Sequence, residues 1–165
     1  MQVLQRRSLP GVINLSSLHR DPYLIEHDIF AVLSDKDIFK QVMVLVKQTF
    51  PNVQGLDLSH NYLTTSHLHI LSNVFEGTSL ESVNLEYNSL TGKISNLGYA
   101  LKKLPLKELK VTNNNFHLAN EDELVNLQDV RKSFPSLETL DGQTIDQRIQ
   151  ELITGKTNVL HSFTR

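Results

Sequence analysis

Three asparagines, Asn61, Asn88 and Asn114, recur 27 and then 26 residues apart, each at the same place in a run of apolar residues. A carboxamide carries donors and an acceptor together. Turned into a core, it could satisfy the free backbone groups of its own turn and of the next, and losing it would orphan peptide groups at about 1–3 kcal/mol each. That spacing marks the three as structural rather than as a ligand set. The remaining chemistry-bearing residues are scattered. Seven histidines (19, 27, 60, 67, 69, 117 and 161) include His67-x-His69, but residues two apart on a helix diverge, and there is no cysteine to complete a metal site. Gly155-Lys156-Thr157 has the ending of a phosphate-binding loop, yet Gln150 stands where its first glycine belongs. With no nucleophile elbow or glycine-rich loop either, no enzyme, metal, cofactor or small-molecule substrate is expected.

The elements that must position these asparagines are legible around them. Leu56-Asp57-Leu58-Ser59-His60-Asn61, Val83-Asn84-Leu85-Glu86-Tyr87-Asn88 and Leu109-Lys110-Val111-Thr112-Asn113-Asn114 follow one pattern, apolar-x-apolar-x-x-Asn. Apolar residues two apart point to one side of an extended chain, so each copy predicts a short strand followed by an inward turn, the signature of a leucine-rich repeat. The fold class expected is α/β: a right-handed solenoid with a curved parallel sheet, helices on the convex side and helical caps at both ends.

Residues 1–9 read as a polar lead-in and 10–155 as the repeat domain. Val12-Ile13-Asn14-Leu15-Ser16-Ser17-Leu18 is a degenerate first strand, with Leu18 in the asparagine position. The 43 residues from Ile13 to Leu56 leave room for a helical insertion. It starts with Asp21 as cap and Pro22 at the first helical position, followed by a stripe of Leu24, Ile25, Ile29, Val32 and Leu33. A second helix opens at Ser34, with Asp37 completing a capping box, buries Ile38, Val42, Leu45, Val46 and Thr49 flanked by Phe39, Met43 and Phe50, and stops at Pro51. The N-terminal cap is therefore about 21–50 and the repeats about 51–142. Convex helices are predicted after Ser66, after Thr91 and from Asn120, where Glu121, Asp122 and Glu123 suit the helix dipole. A fourth strand breaks at Gly142. The C-terminal cap helix, about 143–155, buries Ile145, Ile149, Leu152 and Ile153 and ends at Gly155, leaving 156–165 as tail or linker.

Charge is nearly balanced, 16 Lys and Arg against 18 Asp and Glu, and cysteine is absent. These favour a reducing compartment and give no global field for nucleic acid. No apolar run is long enough for a membrane span, and no signal-peptide pattern opens the chain. Strand residues facing away from the core would form a concave face; Asn14, Asp57, Asn84, Glu86, Glu108, Lys110 and Asp141 are the candidate protein-binding residues on it. The basic candidates for an RNA-contacting edge are Arg6, Arg7, Lys102, Lys103, Lys107, Arg131 and Lys132.

Phe134-Pro135-x-Leu137-x-x-Leu140-Asp141-Gly142 resembles the C-terminal cap of several nuclear repeat proteins, including the spliceosomal A′-type and acidic nuclear phosphoprotein families. Val3-Leu4-Gln5-Arg6-Arg7, followed by Ile13-Asn14-Leu15-x-x-Leu18-x-x-Asp21-Pro22-x-Leu24-Ile25, resembles the start of the leucine-rich domain in the nuclear RNA export factor (Tap-like, NXF) family. Phe50-Pro51 and Leu58-Ser59-His60-Asn61 continue the likeness, which runs from about Val3 to Ile145. The resemblance implies an mRNA export receptor of the nucleus, shuttling to the cytoplasm, with an RNA-recognition-motif fold before this domain and NTF2-like and UBA-like domains after it. It implies that the repeats assist RNA and adaptor binding and dock the sister domains. The third repeat departs from the family's Gly-Asn-Pro-Leu with Asn113-Asn114-Asn115-Phe116, and the concave row is not basic. Three readings stand: an RNA and adaptor platform, a diverged paralogue acting as a protein scaffold in nuclear RNA-guided silencing of transposons, and a regulator of an enzyme partner.

Overall fold

The computed structural model describes residues 2–116 and 122–162, with side chains up to residue 155. The chain runs α1 (Gln2–Arg6), β1 (Ser8–Leu9), β2 (Val12–Asn14), a 3₁₀ turn (Leu18–Arg20), α2 (Pro22–Glu26), α3 (Lys36–Thr49), β3 (Gly55–Asp57), α4 (Thr65–Val74) and β4 (Ser82–Asn84). It continues through β5 (Thr91–Gly92), α5 (Asn96–Ala100), β6 (Glu108–Lys110), β7 (Asn115–Phe116), α6 (Glu123–Ser133), β8 (Thr139–Leu140), β9 (Gln143–Thr144) and α7 (Ile145–Ser162). Seven strands form one sheet in the order β1-β2-β3-β4-β6-β8-β9, parallel from β2 to β8 and antiparallel at its two outer strands. β5 and β7 pair separately.

The mixed α/β class and the mostly parallel sheet follow from the repeat. Ile13, Leu56, Val83, Leu109 and Leu140 are register partners across the sheet, and all are buried. With Leu15, Leu58, Leu85 and Val111 they join the inner faces of the helices in one core, each fully buried leucine contributing about 1.5–3 kcal/mol. Helices α3 to α7 contact one another in chain order. Gly98, inside α5, allows the tightest approach: a Cβ built there would lie 2.5 Å from the Ser133 carbonyl oxygen at the end of α6.

Several local expectations are corrected. The lead-in is part of the fold, because Val3 and Leu4 of α1 are buried and Ser8–Leu9 pairs with β2. α2 has the expected Asp21 cap but ends at Glu26, before Asp28 turns left-handed at φ 53°. Only Leu24 and Leu33 of its stripe reach the core, leaving Ile25, Ile29 and Val32 exposed. α3 is capped by Asp35, not Ser34, through bonds from the Asp37 and Ile38 amides. Its buried face is Phe39, Met43 and Val46, and Leu45 is exposed, so the packed stripe is rotated one position from the predicted line. The cap of α6 is Asp122; Asn120 and Glu121 lie outside the described residues. The last helix does not stop at Gly155 but continues to Ser162. Gly142 is not a failed leucine position. Asp141 and Gly142 have φ of 51° and 78°, left-handed at both centres as a type I′ hairpin turn demands, and they reverse the chain from β8 into β9.

Candidate functional site

The asparagines form a ladder through the turns that follow the strands. Asn61 Nδ2 donates to the carbonyls of Leu15, Leu58 and Ser59 at 2.9–3.0 Å, and its Oδ1 accepts from Leu18 N at 3.1 Å. Asn88 Nδ2 donates to Leu58 O, Leu85 O and Glu86 O, while its Oδ1 accepts from Asn61 N at 3.1 Å and Leu63 N at 2.9 Å. Asn114 repeats the arrangement against Leu85 O, Val111 O and Thr112 O, accepting from Leu90 N. Asn61 and Asn88 are buried, and Asn114 is half-buried.

The outward row is in register: Asn14 faces Asp57, Asp57 faces Asn84 and Asn84 faces Lys110. Three of these residues share a local task. The Oδ1 atoms of Asn14, Asp57 and Asn84 each accept from the backbone N–H two residues on, in Ser16, Ser59 and Glu86 at 2.9–3.0 Å, closing Asx turns where the strands end. Ser59 Oγ adds a bond to Asp57 at 2.7 Å. Lys110 lies 3.8 Å from Glu108 of its own strand, and Glu86 accepts from the Thr112 hydroxyl. Asp141 replaces a missing strand residue. The earlier coils pass the Leu15, Leu58 and Leu85 amides to the next strand's carbonyls, whereas Val111 N donates to Asp141 Oδ1 at 2.6 Å. Crowding by surrounding protein raises the Asp141 carboxyl above its ordinary value, against the pull of the Val111 and Thr112 amides.

The basic candidates do not form one surface. Lys102, Lys103, Lys107, Arg131 and Lys132 lie where helices end and strands begin, whereas Arg6 and Arg7 lie beside the far end of β2. Most are neutralised: Lys103 by Glu76 at 2.9 Å, Lys107 by Glu81 at 3.0 Å, Arg131 by Asp146 at 2.6 Å and Lys132 by Asp129 at 3.6 Å. Lys102 sits 4.7 Å from the Tyr99 ring centroid. Arg7 is committed to the fold. Its Nε meets Asp21 Oδ2 at 2.7 Å, and Nη1 donates to Asn14 O and Ser16 O. Burial pushes the Asp21 carboxyl up, but the Arg7 hydrogen bond and charge, with the Leu24 and Tyr23 amides, leave it below the ordinary carboxylate value. Arg6 also reaches Asp21, at 3.4 Å, and packs over Tyr23.

Rings gather on the turns after the strands, a feature the repeat pattern concealed. His60 and Tyr87 stack with centroids 4.3 Å apart and planes 9° apart, and His19 lies 5.8 Å from Tyr62. With Arg20 they border a cleft of about 330 Å³. The signal available in sequence was the pair of residues flanking each ladder asparagine, His60 and Tyr62 around Asn61 and Tyr87 before Asn88.

His67 and His69 do diverge in environment. His67 is buried, with Nδ1 accepting from Thr64 N at 3.1 Å and Nε2 donating to Ser34 O at 3.1 Å, so it closes the N-terminus of α4 in a capping box and ties it to the insertion. Burial holds its imidazole below the ordinary value, opposed by the Ser34 and Thr64 bonds. His69 is exposed beside Tyr99; His117 and the side chain of His161 lie outside the described residues. Among the described residues no three His, Asp or Glu side chains converge on a possible metal position. Gly155 sits inside α7, not in a phosphate-binding loop.

This geometry has relatives. A sequence model of the NXF1/2/3/5 leucine-rich repeat domain matches residues 9–142. Nuclear RNA export factor 1 of Drosophila melanogaster is 26% identical over 140 residues, which are 83% of this chain and 20% of that protein. Nuclear RNA export factor 2 of Homo sapiens is 28% identical over 134 residues, 81% of this chain and 21% of that protein. The chain thus spans about a fifth of the length of these relatives. A solved structure of Mex67:Mtr2 subunits from Chaetomium superposes with a TM-score of 0.64 at 24% identity, covering 93% of this chain and 96% of that one. The Mex67 LRR domain from Chaetomium thermophilum gives 0.59 at 24% identity, covering 87% and 90%. Both structural likenesses are of fold.

Proposed function

This chain belongs to the family of NXF1/2/3/5 leucine-rich repeat domains, and we propose that it serves as a non-enzymatic binding module of an mRNA nuclear export receptor-like protein, contributing to RNA and adaptor-protein binding. The observation that carries this reading is the family match across residues 9–142, which takes in all the parallel strands from β2 to β8 and the Asp141-Gly142 turn. In this reading the repeats wind as a right-handed solenoid closed by the helical insertion at one end and by α7 at the other. An RNA-recognition-motif fold precedes them, an NTF2-like domain follows, and the protein works in the nucleus and shuttles to the cytoplasm.

The test is RNA capture by the full chain at low and moderate salt, with Lys102, Lys103, Lys107 and Arg131 reversed to glutamate together. The expected result is weaker binding and a shallower salt dependence, the slope falling by about one for each phosphate no longer held. An affinity and slope equal to wild type would remove the basic edge from the reading. A specific observation favours a second reading, the protein scaffold of a diverged paralogue in RNA-guided silencing. Four of the five cations at that edge are paired with carboxylates, and the half-buried outward residues of the strands carry Asp57, Glu86 and Glu108 against Lys110 alone. Loss of adaptor capture on Asp57→Lys with Glu108→Lys, at unchanged RNA affinity, is the result that selects it.

A further inference from the structure

We infer that the turns after β2, β3 and β4 hold a stacking site for unpaired nucleotides of single-stranded RNA. The inference rests on the RNA half of the function proposed above and adds to the lysine-rich edge a second contact at a distance from it.

The first observation is the composition of the cleft. Its wall includes His19, Arg20, His60, Tyr62 and Tyr87, and among the described residues no carboxylate lines it. Two ring pairs, His60 with Tyr87 and His19 with Tyr62, stand on neighbouring coils, and Tyr62 and Tyr87 are 59% and 51% exposed. Rings left this open can add a further planar group at low cost, since stacking needs no particular donor pattern and every base has a π-face.

The second observation is the backbone. Ser17, His60, Tyr87 and Asn113 are all left-handed, with φ between 47° and 57°. They occupy one position of the coil, so the winding itself imposes that conformation. Tyr62 is also left-handed, at φ 57°, but its counterparts Ser89 and Asn115 are not. Nothing in the repeat demands it. A bulky residue held at positive φ is an outlier whose strain points to a use for the side chain, and here the Tyr62 ring lies 5.8 Å from that of His19.

The third observation is Arg20. Arg6, Arg7, Arg131 and Arg148 each have a carboxylate partner, whereas Arg20 has none among the described residues and borders the cleft. A guanidinium free of acids beside exposed rings suits a ligand with a flat face and an anionic link. A nucleotide has both, and a strand of them repeats both from coil to coil. This placement supplements a basic edge whose cations are largely neutralised: recognition gains base faces, with a further phosphate held by Arg20.

The experiment is fluorescence anisotropy of a short oligoadenylate on the full chain. Tyr62→Asn is the central variant, because asparagine tolerates the left-handed backbone and removes only the ring; Tyr62→Phe keeps the ring. We expect Tyr62→Asn and Tyr87→Ala to weaken binding roughly five- to hundredfold and Tyr62→Phe to stay within about twofold. An abasic strand of equal charge should bind wild type no more tightly than oligoadenylate binds Tyr62→Asn. Arg20→Ala should lower the salt slope by about one, and Tyr62→Asn should not. Oligoadenylate affinity unchanged in Tyr62→Asn, or an abasic strand bound as tightly as the intact one, overturns the site while leaving RNA binding elsewhere on the chain. Displacement of the RNA by a phosphotyrosine peptide at lower concentration than by free oligoadenylate assigns the cleft to a protein partner and also overturns it. No RNA binding by wild type at low salt sinks the underlying RNA reading as well.

Discussion

Replacing Asn88 by alanine removes five hydrogen bonds, but they are not equal losses. Leu58 O keeps a donor from Asn61 Nδ2, Leu85 O keeps one from Asn114 Nδ2, and Glu86 O keeps the His60 amide. The amides of Asn61 and Leu63 have Asn88 Oδ1 as their acceptor and are left with none. Two orphaned N–H groups at about 1–3 kcal/mol each give a cost of about 2–6 kcal/mol. The same reckoning ranks the ladder. Asn61→Ala orphans one amide and one carbonyl, those of Leu18 and Leu15. Asn114→Ala orphans Leu90 N and Val111 O, but in a half-buried setting where water replaces part of the loss, so it falls at the low end of about 2–6 kcal/mol. Urea unfolding followed by circular dichroism measures the three differences, and amide exchange at residues 61 and 63 locates the largest. If Asn88→Ala lies within about 0.5 kcal/mol of wild type, the surface-substitution range, or if Asn114→Ala is the most damaging of the three, the reasoning fails.

Two further outcomes follow from packing and protonation. Gly98→Ala places a Cβ against the backbone of Ser133 at 2.5–2.8 Å, so α5 and α6 must separate. We expect a net loss of about 1–3 kcal/mol in thermal unfolding, despite alanine's better helix propensity, and a stabilised variant would contradict the close approach. The folded His67 imidazole is held below its ordinary 6.5, so the unfolded chain takes up its proton first. The associated stability is complete above about pH 6.5 and is lost as pH falls from there through the folded value. Unfolding midpoints at successive pH values should show this decline, and His67→Gln should flatten it; an identical decline in the variant would exclude His67 as its source.

The elements written most plainly in the sequence are those whose side chains alternate between core and solvent. Leucines two apart, followed by asparagine three residues on, leave one workable register, and the row from Asn14 to Lys110 follows from it. What that row does was hidden, because an Asx turn consumes the side-chain oxygen of Asn14, Asp57 and Asn84 without changing which way the residue faces. Helix limits are less legible. α2 carries a helical stripe through Leu33, yet only Leu24 and Leu33 find core partners, and the chain unwinds at Asp28. Asp141-Gly142 is a hairpin signal that the repeat frame masks, because the frame gives Gly142 a leucine's place. The rings at positions 19, 60, 62 and 87 come from three different coils, and only the winding of the chain brings them together.

Asp141 also marks where the stack of coils ends. By lending a side-chain oxygen to Val111 where a further strand would lend its main chain, and by reversing direction at the next residue, it acts as a terminator for the array. Splicing in an additional 26-residue unit after Ser136 should therefore be tolerated, since the terminator would simply move outward with the end. The same unit spliced in after Gly142 would find no open edge on which to grow.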